Sequence, residues 1–272
     1  MKRSTFPHQT NDTTIVAKSA LVIDEKSGQV LYEKKSQMRV FPASATKVLT
    51  GLAATSLCKL NEKITVGEEV LAETKGESLA GLTPGDTYLF AELLAALMIP
   101  SGNDAARALA MHVARRDLRK DISYDAGIRY FTWAMNEAAS RAGAVSSQFV
   151  NPHGLHDTRH FTTAQDMMQI TKEARKNLVL CNVVRRPVWT SPRLHFVNRN
   201  ELIHPESPFF YQGAEGFKTG YTKKAGRCLI SAASRNNEQI LAAAFGSKDH
   251  HIWSDAHTLL NMGFKRTSAK AV

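Results

Sequence analysis

The spacing of apolar positions along the chain changes character twice. Ala20-Leu21-Val22-Ile23-Asp24 and Gln29-Val30-Leu31-Tyr32 are short β-rich runs joined by Glu25-Lys26-Ser27-Gly28, a pattern that predicts a hairpin. From Pro42 the spacing becomes helical, with Val48, Leu49, Leu52 and Ala53 recurring along the run. Pro42 stands just ahead of that helix, where proline is tolerated. Lys63-Ile64-Thr65-Val66 reads as another short strand, and residues 79–87, with Gly81, Pro84 and Gly85, as a turn-rich connection. Helices are predicted over 88–98, 105–116, 128–142 and 163–175. Asn103 or Ser101 is expected to cap the second of these, with Asp104 favourable in its first turn. Strand character returns at 216–222, 228–234 and 239–246, the last two joined by Arg235-Asn236-Asn237-Glu238. A closing helix is predicted over 252–262. Strands at both ends around a helical middle predict one α+β body with a helical insertion.

Composition adds little until charge is considered. A chain of 272 residues with 43% hydrophobic and 22% charged content is ordinary for a globular protein of one large or two small domains. The net charge of +10 is not ordinary. Its Lys and Arg residues are scattered rather than massed in a stripe with aromatics, which counts against nucleic acid. A diffuse positive charge suits a polyanionic cell wall or membrane face. Cys58, Cys181 and Cys228 are odd in number and contain no CxxC pair, so neither a zinc site nor a disulfide framework is expected. Core thiols are the expectation; an oxidised pair stays open. Met1-Lys2-Arg3 looks like a charged leader, yet polar residues 4–14 follow where a signal peptide would be apolar. The longest apolar run, 89–99, is too short to span a bilayer. Either the protein is cytosolic or a leader has been removed.

The candidate chemistry centres on Ser44-Ala45-Thr46-Lys47. Positions three apart share a helix face, so the Ser44 hydroxyl and the Lys47 amine are expected side by side. The helix N-terminus adds free N–H groups and a positive dipole end. Nucleophile, base and part of an oxyanion site would thus come from four consecutive residues. SxxK alone is weak, because Ser56-Leu57-Cys58-Lys59 repeats it. Ser56 lies about 120° around the helix from Ser44 and more than three turns away, so both cannot face one cleft. Ser101-Gly102-Asn103 at a helix junction and Lys218-Thr219-Gly220 on a strand add weight. Each has a bland reading singly: a helix cap, and a strand residue before a glycine bulge. SxN also recurs by accident at Ser234-Arg235-Asn236. The specific feature is the ordered set of helix SxxK, junction SxN and strand KTG, the signature of active-site serine penicillin-interacting enzymes. His153, His156 and His160 have a spacing that invites a metal reading, but they fall in a turn region rather than on a helix face. No metal or other cofactor is expected.

With Ser19 to Asp24 and Gly28, Pro42 to Lys47, Leu97 to Ala106, Phe149 to Leu155, Asn198-Arg199-Asn200-Glu201-Leu202 and Gly216 to Gly226, the chain resembles D-alanyl-D-alanine carboxypeptidases, the low-molecular-mass penicillin-binding proteins. The resemblance runs from about residue 17 to 264. It implies a β-lactamase/transpeptidase-like α+β fold, an antiparallel sheet flanked by helices with a mostly helical inserted subdomain. Residues 1–272 are then one catalytic domain, with 17–60 and 205–264 carrying the sheet and 61–204 the helical part. Members of the family usually carry a secretion signal, and many carry a C-terminal β-domain with an amphipathic membrane helix; this chain is expected to lack both.

The resemblance also assigns roles. Ser44 would attack the carbonyl between two D-alanines, and Lys47, unprotonated beside a positive Lys218, would take its proton. Ser101, its hydroxyl held by Lys218, would relay the proton to the leaving amine. Asn103 would bond the substrate amide or Lys47. Thr219 would meet the terminal carboxylate beside Lys218. The N–H groups of Ser44 and Tyr221 would form the oxyanion hole, and Gly220 would let substrate lie along the strand edge. The implied partners are peptidoglycan stem peptides ending in D-Ala-D-Ala and β-lactams as covalent inhibitors, outside the cytoplasmic membrane, with peripheral wall or membrane association and no nucleic acid. No ExxLN lies between SxN and KTG, so β-lactam adducts are expected to be long-lived. A β-lactamase or DD-endopeptidase of the same fold, or a silent wall-binding scaffold, are the competing readings.

Overall fold

The structure is a computed structural model that describes residues 15–72, 76–119 and 121–268. The leader-like residues 1–14 and the last four residues of the polar tail lie outside the described residues.

Strands β1 (Ser19–Asp24) and β2 (Val30–Lys34) pair antiparallel as the expected hairpin. The Asp24 carboxylate fixes its turn, accepting from the Ser27 N–H and hydroxyl at 2.6 Å. A 3-10 turn over Ala43–Ala45 then leads into α1 (Thr46–Leu57). Ser44 therefore stands ahead of the α-helix, although the sequence pattern predicts a helix directly after Pro42. The cause is local: Ala43 has φ of +48° and its carbonyl is taken by the Thr46 N–H and hydroxyl, which tightens the entry.

Strands β3 (Lys63–Thr65) and β4 (Thr87–Leu89) pair antiparallel. The helix expected from residue 88 begins two residues later, as α2 (Phe90–Met98). Thr87 and Tyr88 are good strand formers, the Thr65 and Thr87 hydroxyls meet at 2.8 Å, and the Glu92 carboxylate takes the Leu89 N–H. Then come α3 (Asn103–Leu118), α4 (Tyr124–Arg141) and α5 (Ala164–Arg175). Three elements escaped the sequence: α6 (Leu178–Val184), β5 (Val188–Thr190) and β6 (His195–Val197). The α6 sequence is rich in β-branched residues, which carry little helical signal. Its helix is set by Asn177, whose side chain accepts from Val179 and Leu180 N–H, and by burial of Leu180, Val183 and Val184. The chain closes with β7 (Ala214–Thr222), β8 (Gly226–Arg235), β9 (Glu238–Ser247) and α7 (His251–Ser268).

The main sheet runs β2-β1-β9-β8-β7, every neighbour antiparallel. Both faces are covered, so its strands are apolar at successive positions. Val22, Ile240 and Ala242 point to α7, meeting Leu259, Leu260 and Phe264. Leu21, Ile23, Leu241 and Phe245 point the other way, into the larger core with Val48, Leu49 and Met168. Helix α1 is the axis of that core, with Thr46 to Ala54 buried on every side. This is the α+β architecture expected. Its consequence for function is that β7 ends the sheet, leaving one strand edge beside the Ser44 turn.

Candidate active site

The Ser44 turn is braced from two sides. The His160 Nδ1 accepts from the Val150 N–H at 3.1 Å, so the ring proton sits on Nε2 and is donated to Thr46 Oγ1 at 2.8 Å. Thr46 in turn donates to the Ala43 carbonyl. This relay fixes one tautomer of His160, and burial keeps its pKa down at about 4. Glycines close the other contacts. A Cβ on Gly154, whose φ is +87°, would lie 1.9 Å from the Ala43 oxygen; one on Gly220 would lie 2.9 Å from the Ser44 nitrogen. Strand β7 therefore passes directly over the backbone of the nucleophile turn.

Lys47 is fully buried, and its Nζ donates to Ser44 Oγ at 3.0 Å, Asn103 Oδ1 at 2.6 Å and the His153 carbonyl at 2.8 Å. Its pKa lies well below that of an ordinary lysine, first through desolvation, then through the charge of Lys218; Glu77 opposes the shift. Asn103 is held by the Glu77 carboxylate, which pairs with the buried Arg107 at 3.0 Å. Arg107 is itself tied to the Glu69 and Val70 carbonyls. A chain of polar contacts thus runs from the scaffold to the nucleophile. Among the capping expectations, neither Ser101 nor Asn103 caps α3: Gly102 is the N-cap residue without a side-chain bond, because the Asn103 side chain turns to Lys47. Asp104 does more than favour the helix dipole. Its carboxylate accepts from Ala80, Gly81 and Leu82 N–H, pinning the 76–82 segment beside the cleft.

Ser101 sits at φ +68°, a strained region for a residue with a side chain. Its buried hydroxyl has no hydrogen-bond partner. The expected bond from Lys218 is not formed; Lys218 Nζ donates instead to the Thr219 carbonyl at 3.0 Å. Burial, then the charge of Arg199, bring Lys218 down to about 7. Thr219, Gly220 and Tyr221 follow on β7 and line the same cleft as Ser44, Ser101 and Asn103. Gly220 is in regular register with Cys228, so no bulge lies there; the bulge falls between Ala214 and Phe217, at Gly216.

The cleft has a volume of about 460 Å³. Ser56 is exposed on α1 and its hydroxyl returns to the Leu52 carbonyl, and Ser234 and Asn236 belong to the β8–β9 hairpin end. His153 lines the cleft while both nitrogens of His160 are engaged in bracing, and His156 packs edge-on against Phe41. All three thiols are free. Cys58 does come within 4.8 Å of potential ligand atoms of Glu62 and His112. The Arg116 guanidinium already occupies that cluster, 3.2 Å from Glu62 and 3.9 Å from the sulfur. Sequence reasoning missed several cleft residues: Glu77, Arg199, Arg227, His250 and Trp253. No chemical motif marks them, although Arg199 falls within the Asn198–Leu202 stretch that carries the family resemblance.

Comparison with known proteins was made on this geometry. Residues 5–249 match the D-alanyl-D-alanine carboxypeptidase family. D-alanyl-D-alanine carboxypeptidase DacF of Bacillus subtilis is 32% identical over 251 residues, 88% of this chain and 59% of its own length. DacB2 of Mycobacterium tuberculosis is 31% identical over 91% of this chain and 82% of its own. The Streptomyces K15 DD-transpeptidase superposes with a TM-score of 0.84 at 28% identity, covering 93% of this chain and 98% of that one. The chain spans about three fifths of the length of several curated relatives it matches.

Proposed function

The chain belongs to the D-alanyl-D-alanine carboxypeptidase family, and on that premise we propose that it is a serine-type D-Ala-D-Ala carboxypeptidase acting on peptidoglycan stem peptides. The observation that carries the reading is the 3.0 Å contact between the depressed Lys47 amine and Ser44 Oγ. The lowered pKa eases loss of one of the amine's three protons, and the freed amine takes the hydroxyl proton as Ser44 attacks the penultimate D-alanine carbonyl. The Ser44 and Tyr221 N–H groups hold the developing oxyanion, each worth roughly 3 kcal/mol. Ser101, unpartnered and buried, passes the proton to the departing D-alanine nitrogen. Water then releases the acyl group. Thr219 and Lys218 receive the terminal carboxylate, and substrate lies along β7 as an added strand.

The reading takes residues 1–272 as one catalytic domain, with 17–60 and 205–264 bearing the sheet and 61–204 the helical part. It places the reaction outside the cytoplasmic membrane, where D-Ala-D-Ala stem peptides are found. β-Lactams would acylate Ser44 and stay, since no ExxLN carboxylate is available to activate water.

The test is intact-protein mass after benzylpenicillin, followed over hours and mapped to a peptide, alongside D-alanine release from diacetyl-L-Lys-D-Ala-D-Ala. A stable adduct on Ser44, lost in Ser44→Ala and kept in Ser56→Ala, is expected together with D-alanine release. Rapid drug turnover would favour a β-lactamase, cleavage of cross-linked dimers alone an endopeptidase, and no adduct a silent scaffold.

A further inference from the structure

Among the described residues, Lys47, Lys218, Arg199 and Arg227 lie in or just beneath the cleft, and the first three are committed. Lys47 serves Ser44 and Asn103, Lys218 bonds the Thr219 carbonyl, and Arg199 donates to Ser78 Oγ at 2.5 Å within the wall. Arg227 differs. Its guanidinium lies over the Tyr221 ring, 4.4 Å from the centroid. Its acidic neighbour, Asp249, is 3.7 Å away, beyond hydrogen-bond length, and 81% exposed. The register explains its direction. Thr219 and Tyr221 are two apart on β7 and share a face. Arg227 is the β8 partner of Tyr221 and so emerges on that same face. Diagonal positions such as Thr219 and Arg227 are about 7–8 Å apart at Cα, well within the reach of an arginine.

The geometry points to Arg227 as a further residue that, together with Thr219 and Lys218, binds the free C-terminal carboxylate of the substrate, with Tyr221 as the platform that orients it. This rests on the carboxypeptidase reading and adds the source of its preference for a free chain end. Stacking on an aromatic face leaves the edge of the guanidinium, with its forked N–H donors, directed outward for a planar carboxylate. Asp249, at 3.7 Å, is only a loose counter-ion, which a substrate carboxylate at hydrogen-bond distance replaces. The exchange is one carboxylate for another, so the charge of Arg227 is never left without a counter-ion nearby. A cross-link to an acceptor amine with no carboxylate beside it, such as a lysine ε-amine, cannot make that exchange.

The test compares Arg227→Gln and Arg227→Lys with the unchanged protein on diacetyl-L-Lys-D-Ala-D-Ala and on its C-terminal amide. Arg227→Gln is expected to lower kcat/KM for the free acid roughly 10- to 100-fold, mainly through KM, and to leave the amide within twofold. Arg227→Lys, charged but unable to fork, is expected to recover only part of the loss. Equal losses on both substrates, or none on the acid, would overturn the assignment. The same comparison of benzylpenicillin with its methyl ester, read as the rate of Ser44 acylation, separates the two ideas. If neither peptide is cleaved but penicillin acylates, the carboxypeptidase reading fails, and Arg227 is judged on whether its loss slows the acid and spares the ester.

Discussion

At the scale of single residues, the cleft is governed by two buried amines with different tasks. In the proposed reaction, Lys47 must be neutral to accept a proton, and Lys218 must be charged to receive a carboxylate. Burial lowers both, and Lys218 comes to about 7. A cation with a lowered pKa is lost as pH rises through that value. For carboxylate-bearing substrates, kcat/KM is therefore expected to fall above about pH 7 in the free enzyme; a methyl-ester β-lactam should lack that limb. A pH profile of acylation with the acid and ester forms checks this. The thiols are equally shaped by burial. Cys58 is pushed up to about 11 and Cys228 to about 12, so little thiolate exists at neutral pH. Iodoacetamide labelling of the native protein at pH 7.5 is expected to be slow at both, and fast only after unfolding.

At the scale of elements, the nucleophile turn depends on neighbours that never touch substrate. Gly154→Ala would force a Cβ onto the Ala43 carbonyl at a backbone angle that L residues rarely adopt. A destabilisation of about 2–4 kcal/mol is expected from such a clash, read by denaturant unfolding, with acylation by benzylpenicillin slowed in the folded fraction. Asp104→Ala removes the acceptor of three loop N–H groups. A loss of about 3 kcal/mol follows if charged hydrogen bonds of this kind contribute their usual amount, together with a mobile 76–82 segment detectable by hydrogen exchange. The sequence made some of these elements plain and hid others. Short, nearly continuous apolar runs in 20–24 and 239–246 marked strands because both flanks end in turn residues. Motif order drew Ser44, Ser101 and Lys218 into one cleft because each motif demands its own local geometry. Glu77, Arg199 and Arg227 carried no such mark, since a charge used across the fold looks like a surface charge along the chain. Helix α6 was hidden for another reason: β-branched residues are ambiguous, and only its packing decided the outcome.

At the scale of the whole molecule, acid is the expected weakness. His160 titrates near 4 when folded and near its ordinary 6.5 when unfolded. Between those values the unfolded chain binds the extra proton, so stability falls as pH drops from about 6.5 to 4 and levels off below. For His160 alone the slope is about 1.4 kcal/mol per pH unit and the total about 3 kcal/mol; His153, lowered well below its ordinary value by burial, adds to both. Urea unfolding across this range should show at least the His160 slope, and His160→Gln should reduce the observed slope by one proton. The placement of β7 has a consequence of another kind. An unpaired strand edge invites neighbouring molecules to add to the sheet. Here the Ser44 turn and residues 76–78 line one cleft with Thr219 to Thr222 of that edge. A second folded molecule, bringing its own sheet, meets this wall before it reaches the strand. The features that form the cleft thereby also guard the protein against polymerising through the edge of its own sheet.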